Sequence, residues 1–153
     1  MGIEENKKII QRYFDELHNK QDYSKADEIL HTEYSGAAGG GIKGLEGFKQ
    51  HSNYMRSLSS DAHFEVLDMI AEGDRIVVFG EWRGTWDGVF AVIQGAGQQI
   101  NRPQANIYEF KDGKVFRGLT RSVDDQLTTG QKFGLIPSMD VLVQQYKESH
   151  NLE

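Results

Sequence analysis

No cysteine occurs in the 153 residues, which removes disulfides, thiolate nucleophiles and the common structural zinc sites at once. Positive charge is scarce as well: 17 Lys and Arg stand against 23 Asp and Glu, a formal charge of −6, and the cations are scattered singly. A surface that grips a phosphate backbone needs clustered cations to release counterions, so the balance argues against nucleic acid as a partner. Nor is there a long apolar run. The start, Met1 to Lys8, is polar and charged, without the hydrophobic stretch of a signal peptide or membrane helix. A cytoplasmic chain with no membrane partner is expected. His31, His63 and His150 show no metal-ligand spacing, so no metal is expected. No glycine motif follows a strand and precedes a helix; Gly39 to Gly41 fits a flexible rim better than a phosphate cradle, and no cofactor is implied.

What is present is the balance of one globular domain, 38% hydrophobic and 26% charged, long enough to bury a core without staples. From Ile3 to Asn19, Ile9, Ile10, Tyr13, Phe14 and Leu17 draw one stripe along a helix. A second helix fits Ser24 to His31, with Ser24 as N-cap. Ser35 to Gly41 is expected to be a loop, and a third helix carries Leu45, Phe48, Ser52 and Met55. After Ser60 the period becomes alternating. Glu72-Gly73-Asp74 joins Phe64–Ala71 to Arg75–Thr85, and Lys111-Asp112-Gly113 joins Gln99–Phe110 to Lys114–Ser122, two hairpins whose turns suit positive φ. Trp86 to Gln98, with Gly88, Gly95 and Gly97, turns a corner. Asp124 to Phe133 follows the last strand, and Pro137 precedes a terminal amphipathic helix, Ser138 to Ser149. Helices followed by antiparallel strands predict an α+β fold, N-terminal helices packed on a strongly curved sheet that leaves a cone-shaped pocket.

The segments Gly41-Ile42-Lys43-Gly44-Leu45-Glu46-Gly47-Phe48, Ile70-Ala71-Glu72-Gly73-Asp74-Arg75-Ile76-Val77, Trp82-Arg83-Gly84-Thr85, Gly95-Ala96-Gly97, Phe110-Lys111-Asp112-Gly113-Lys114-Val115 and Phe133-Gly134-Leu135-Ile136-Pro137 occur in that order. Together they resemble the SnoaL-like polyketide cyclases, within the nuclear-transport-factor-two-like superfamily. The resemblance spans Glu5 to Pro137, so residues 1–137 are expected to form the cone and 138–153 a helical extension of it. It implies a dimer and a pocket for an apolar small molecule. It also implies ring closure by an aldol step, in which a carboxylate moves protons while the pocket stabilises an enolate. Burial makes such a carboxylate a competent base by raising its pKa.

Counted from Asp112-Gly113-Lys114, the catalytic Asp of the ring-closing cyclases falls at Thr120 and their pocket His at Asn106. Neither residue is a base. Asp124 or Asp125, near the acidic position of other members, is the first candidate acid/base; both also fit a helix start, where negative charge is stabilised. His51, one turn after Phe48, is the alternative base, though it lies at the margin of the buried stripe. His18 falls near another pocket position of the family, but a helix end gives it a structural reason to be there. Alternation places Asn106, Tyr108 and Phe110 on one strand face, so Asn106 is a candidate hydrogen-bond donor to a ligand carbonyl or enolate. Arg121 is a candidate for pairing with Asp124 or for holding an anionic substrate group. Trp86 is expected at the pocket mouth, and Tyr108 and Tyr54 are further candidate contacts.

Two functions compete at this level. One is a cofactor-independent catalyst of cyclase, isomerase or dehydratase type acting on an apolar carbonyl compound; the other is a catalytically silent binding domain. The stripe Val141, Leu142, Gln145 and Tyr146 on the terminal helix needs a cover, and a homodimer is expected.

Overall fold

Ile10, Tyr13, Phe14 and Leu17 share one helical stripe, and all four are buried, with Ile10, Phe14 and Leu17 each worth about 1.5–3 kcal/mol of apolar transfer. In the computed structural model, residues 2–36, 41–90, 92–122 and 126–152 are described, with the side chains of all but Arg121, Ser122 and Gln126. They fall into two compact units, Met1–Val123 and Asp124–Glu153.

In the first unit α1 (Ile3–Arg12) continues into a wider π-helical stretch, Tyr13–Asn19. The Lys20 amide there reaches back five residues to the Asp15 carbonyl, at 3.3 Å. Asn19 then acts as a strand partner. Its amide nitrogen donates to the Phe64 carbonyl at 2.9 Å, and its oxygen accepts the Phe64 N–H at 2.8 Å, which fixes the end of the helix against the sheet.

The second helix is shorter than its composition predicts. Only Ala26–Ile29 (α2) is helical, its N-cap is Lys25 rather than Ser24, and the Ser24 amide is held instead by the Asp22 carboxylate at 3.0 Å. Leu30–Gly36, whose first two residues are expected as helix end and last two as loop, is a strand, β1. It runs parallel to the last strand, β8 (Lys114–Ser122), with a register shift between Leu30 and Ser35, which breaks the alternation a sequence reading depends on.

β2 (Ile42–Lys43) precedes α3 (Gly44–Leu58), which buries Phe48 and Ser52. β3 (His63–Glu72) and β4 (Arg75–Trp86) form the first hairpin; β7 (Gln98–Lys111) and β8 (Lys114–Ser122) form the second. The turns use the conformation expected: Gly73 has φ 56°, and Asp112 and Gly113 have 51° and 71°. The order β2-β1-β8-β7-β4-β3 gives one six-stranded curved sheet, antiparallel except at β1–β8. Alternation is strict on β4, where every second residue from Ile76 to Trp86 is buried. β5 (Val89–Phe90) and β6 (Ile93–Gln94) form a separate small hairpin.

The second unit holds α4 (Gln126–Lys132) and α5 (Met139–His150). α5 starts after Ser138 and ends at Asn151 in the left-handed conformation, within a residue of the predicted bounds. None of its residues is buried. No described helix is long and apolar enough to cross a membrane.

Candidate functional site

Helix and sheet faces of the first unit converge on one cavity. The π-helical stretch contributes Tyr13, Phe14 and His18, and α3 contributes Phe48, His51 and Ser52. The strands supply Tyr34, Phe64, Gln104, Asn106, Tyr108, Gly118 and Thr120, with Ile42 at the edge. The volume is about 60 Å3, room for a few waters and well below the roughly 300–1,000 Å3 of a drug-sized site. It accommodates the end of a ligand rather than a whole multi-ring molecule.

The sheet side is set by register. Asn106 lies directly opposite Thr120 on β8 and Val78 on β4; Tyr108 lies opposite Gly118. Gly118 is a spacing device, because a Cβ there would come to 3.0 Å from the Tyr108 ring and 3.4 Å from the Tyr34 hydroxyl. Gly36, its neighbour on β1, leaves room for the same hydroxyl. The Tyr13 and Tyr34 hydroxyls are 3.1 Å apart, and the Tyr13 ring meets that of Tyr108 edge-on with centroids at 5.2 Å. Burial pushes all three phenols well above their ordinary pKa. They are hydrogen-bond groups that stay protonated.

Two histidines face this space. Burial is the largest cause that pulls His18 down to about 4, and the charges His51, Arg56 and His63 can carry act the same way; the adjacent Asn19 side chain opposes them. Burial also lowers His51. Both imidazoles are therefore neutral at pH 7. His18 lies beside the stacked rings of Phe14 and Phe64, 6.0 Å from the first and 6.2 Å from the second by centroid, and its Nδ1 is buried without a hydrogen-bond partner. The Oδ1 of Asn106, a residue 2% exposed, is in the same state. Ser52 is positioned by Gln21, whose amide donates to its hydroxyl at 2.9 Å.

Of the residues the sequence singled out, His51, Asn106 and Tyr108 come together at the cavity. Tyr54 does not: at 49% exposure it lies on the solvent side of α3. Trp86, expected at the mouth, is 2% exposed and away from the cavity. The segment after it folds back over it. The Gly97 amide donates to the Trp86 carbonyl at 2.9 Å, Gly95 packs against the Trp86 backbone and ring, and the amides of Asp87 and Gly88 bond to the Leu58 carbonyl at the end of α3. Asp124 and Asp125 lie outside the described residues, and so does the side chain of Arg121, whose backbone pairs with Ala105. Among the described residues no group of three His, Asp or Glu could hold a metal ion. His18 is the residue assigned a helix-end role that lines the cavity. The signal was its spacing of four from Phe14, which continues the buried stripe.

The family model of the SnoaL-like polyketide cyclases matches residues 8–132. Among solved structures, TsrD from Streptomyces laurentii superposes with a TM-score of 0.76 at 20% identity, over 89% of this chain and 99% of that one. AclR from Streptomyces galilaeus, a candidate hydroxylase, gives 0.75 at 18% identity over 98% and 95% of the two chains. A SnoaL-like polyketide cyclase from Agrobacterium tumefaciens gives 0.70 at 17% identity over 84% and 98%. At such identities these likenesses establish the fold alone. No curated protein matches by sequence.

Proposed function

The chain belongs to the SnoaL-like polyketide cyclase family, and on that premise we propose that it is a cofactor-independent acid/base catalyst acting on a carbonyl compound whose reactive end enters the cavity. The supporting observation is that His51, a neutral half-buried imidazole, shares the cavity with Asn106. His51 removes a proton from the carbon next to the carbonyl. The electron pair of that C–H bond moves into the C=O group, giving an enolate whose oxygen the Asn106 amide stabilises by hydrogen bonding. Returning the proton at another carbon completes an isomerisation; attack of the enolate carbon on a second carbonyl of the same molecule closes a ring. Thr120, opposite Asn106, supplies a hydroxyl to the same oxygen. Amide oxygen and nitrogen are assigned from their hydrogen-bond network, so Asn106 can present either group to a ligand.

The test is solvent exchange. Wild type incubated with 3-hydroxyacetophenone or acetophenone in D2O is expected to speed deuterium uptake at the methyl group, followed by proton NMR, beyond the rate in buffer with equal free imidazole. His51→Gln is expected to lower the rate at least tenfold. Saturable binding without any exchange above buffer would instead support the silent binding domain, a reading favoured by the lack of a carboxylate among the described cavity residues.

A further inference from the structure

His18 and Asn106 both line the cavity, one from the π-helical stretch and one from β7, and each buries a polar atom that has no hydrogen-bond partner. A native structure seldom leaves two such atoms in residues that line one cavity unless something pairs with them. Tyr13, Phe14, Tyr34, Phe48, Phe64 and Tyr108 supply aromatic surface around them. The described lining contains no Asp, Glu, Lys or Arg.

We propose that His18 is a second substrate-binding residue, which together with Asn106 clamps an uncharged substrate end carrying two hydrogen-bonding oxygens, one of them a hydroxyl. An acceptor such as Asn106 Oδ1 needs an O–H or N–H from the ligand, and neutral His18 Nδ1 takes or gives one hydrogen bond according to tautomer. A carboxylate meets no cation among the described lining residues and loses its hydration on entry. The substrate class is therefore a neutral hydroxy-carbonyl compound rather than its free acid. This assignment rests on the carbonyl-binding cavity proposed above, but it concerns recognition and leaves proton transfer to His51.

The experiment measures binding of three probes to the full chain: 3-hydroxyacetophenone, acetophenone, which lacks the hydroxyl, and 3-hydroxybenzoate, which is an anion. Wild type is expected to bind 3-hydroxyacetophenone at least fivefold tighter than either other probe. His18→Phe should lose about fivefold to tenfold for 3-hydroxyacetophenone and less than twofold for acetophenone. His18→Asn, which keeps a polar atom near Nδ1, should recover part of the loss, and it carries the test if the Phe variant does not fold. In 15N-histidine-labelled wild type, 3-hydroxyacetophenone should move the His18 Nδ1 resonance. Equal binding of all three probes, tighter binding of the benzoate, no binding of the hydroxy-ketone, or an unchanged affinity in folded His18→Phe and His18→Asn would each overturn the assignment. Failure of the catalytic reading shows separately, as no deuterium exchange by a wild type that still discriminates the probes.

Discussion

His18 couples the site to stability. Its folded pKa of about 4 lies below the ordinary histidine value, with burial the largest cause. In the unfolded chain the ring takes up a proton as pH falls through about 6.5, while in the fold it does not until about 4. The unfolded state therefore binds more protons in that window. The burial of His18 is free of this penalty above the unfolded pKa and loses stability progressively as pH drops toward 4. Two and a half pH units correspond to at most about 3.4 kcal/mol by pH 4, of which about 2 kcal/mol falls between pH 7 and pH 5, less whatever the ring's exposed edge recovers. Urea unfolding of wild type at pH 7 and pH 5 should show this loss, and His18→Asn should show a smaller one. An equal pH dependence in both proteins would mean that His18 does not titrate as described. His51 makes the kinetic counterpart: a base lowered by burial acts in its neutral form, so the exchange rate should stay flat down from pH 8. Its acid limb should lie below the ordinary histidine value of about 6.5, and a midpoint above that value would contradict the role given to His51.

At the level of elements, Asn19 is the joint that aims the π-helical stretch. Its two hydrogen bonds to Phe64, reinforced by Arg56 bonding to its carbonyl, replace the pairing that β3 would otherwise find in another strand. Asn19→Ala leaves the Phe64 N–H and C=O unpaired and should cost about 2–4 kcal/mol, read as a lower midpoint in thermal or urea unfolding. Asn19→Asp keeps the acceptor and should cost less. These joints explain what the sequence could and could not disclose. Periodicity revealed the α1 stripe, both hairpins and the inward face Asn106, Tyr108 and Phe110, because neighbours along the chain carry that signal. β1 was hidden because its partner, β8, is distant and the register shift at Leu30/Ser35 spoils alternation. Trp86 was misplaced for the same reason: the segment that covers it is stitched to α3 through backbone amides, which side-chain pattern does not report. Within the site, the positions Asn106 and Thr120 were legible by counting from the Asp112-Gly113 turn, and the sheet sets them opposite each other. That glycines at 36 and 118 make space for tyrosines is a cross-strand fact with no local trace.

On the scale of the whole molecule, the outer face of the sheet raises the question of assembly. Ile70, Val77, Ile107 and Leu119 stand in direct register across β3, β4, β7 and β8, and Phe79 lies beside them in the next row, facing Ala105. Ile70 is 59% exposed and Phe79 39%. Charged residues rim the row: Arg75 and Arg117 reach Glu109, and Arg83 reaches Glu65 and Glu81. An apolar centre with a polar, internally paired border is the composition of a protein interface. A second copy is the expected cover, since a two-fold interface needs only a self-complementary patch and the arginines of the rim are already paired within the chain. A homodimer through this face is the expected state. Light scattering should give twice the chain mass of 17.3 kDa. Val77→Lys, which puts a charge in the middle of the row between Ile70 and Ile107, should return the mass to one chain while leaving the far-ultraviolet circular dichroism unchanged. A wild type that stays at the monomer mass up to about 100 μM, weaker than the affinity usual for an interface of standard size, would assign this face to some other partner.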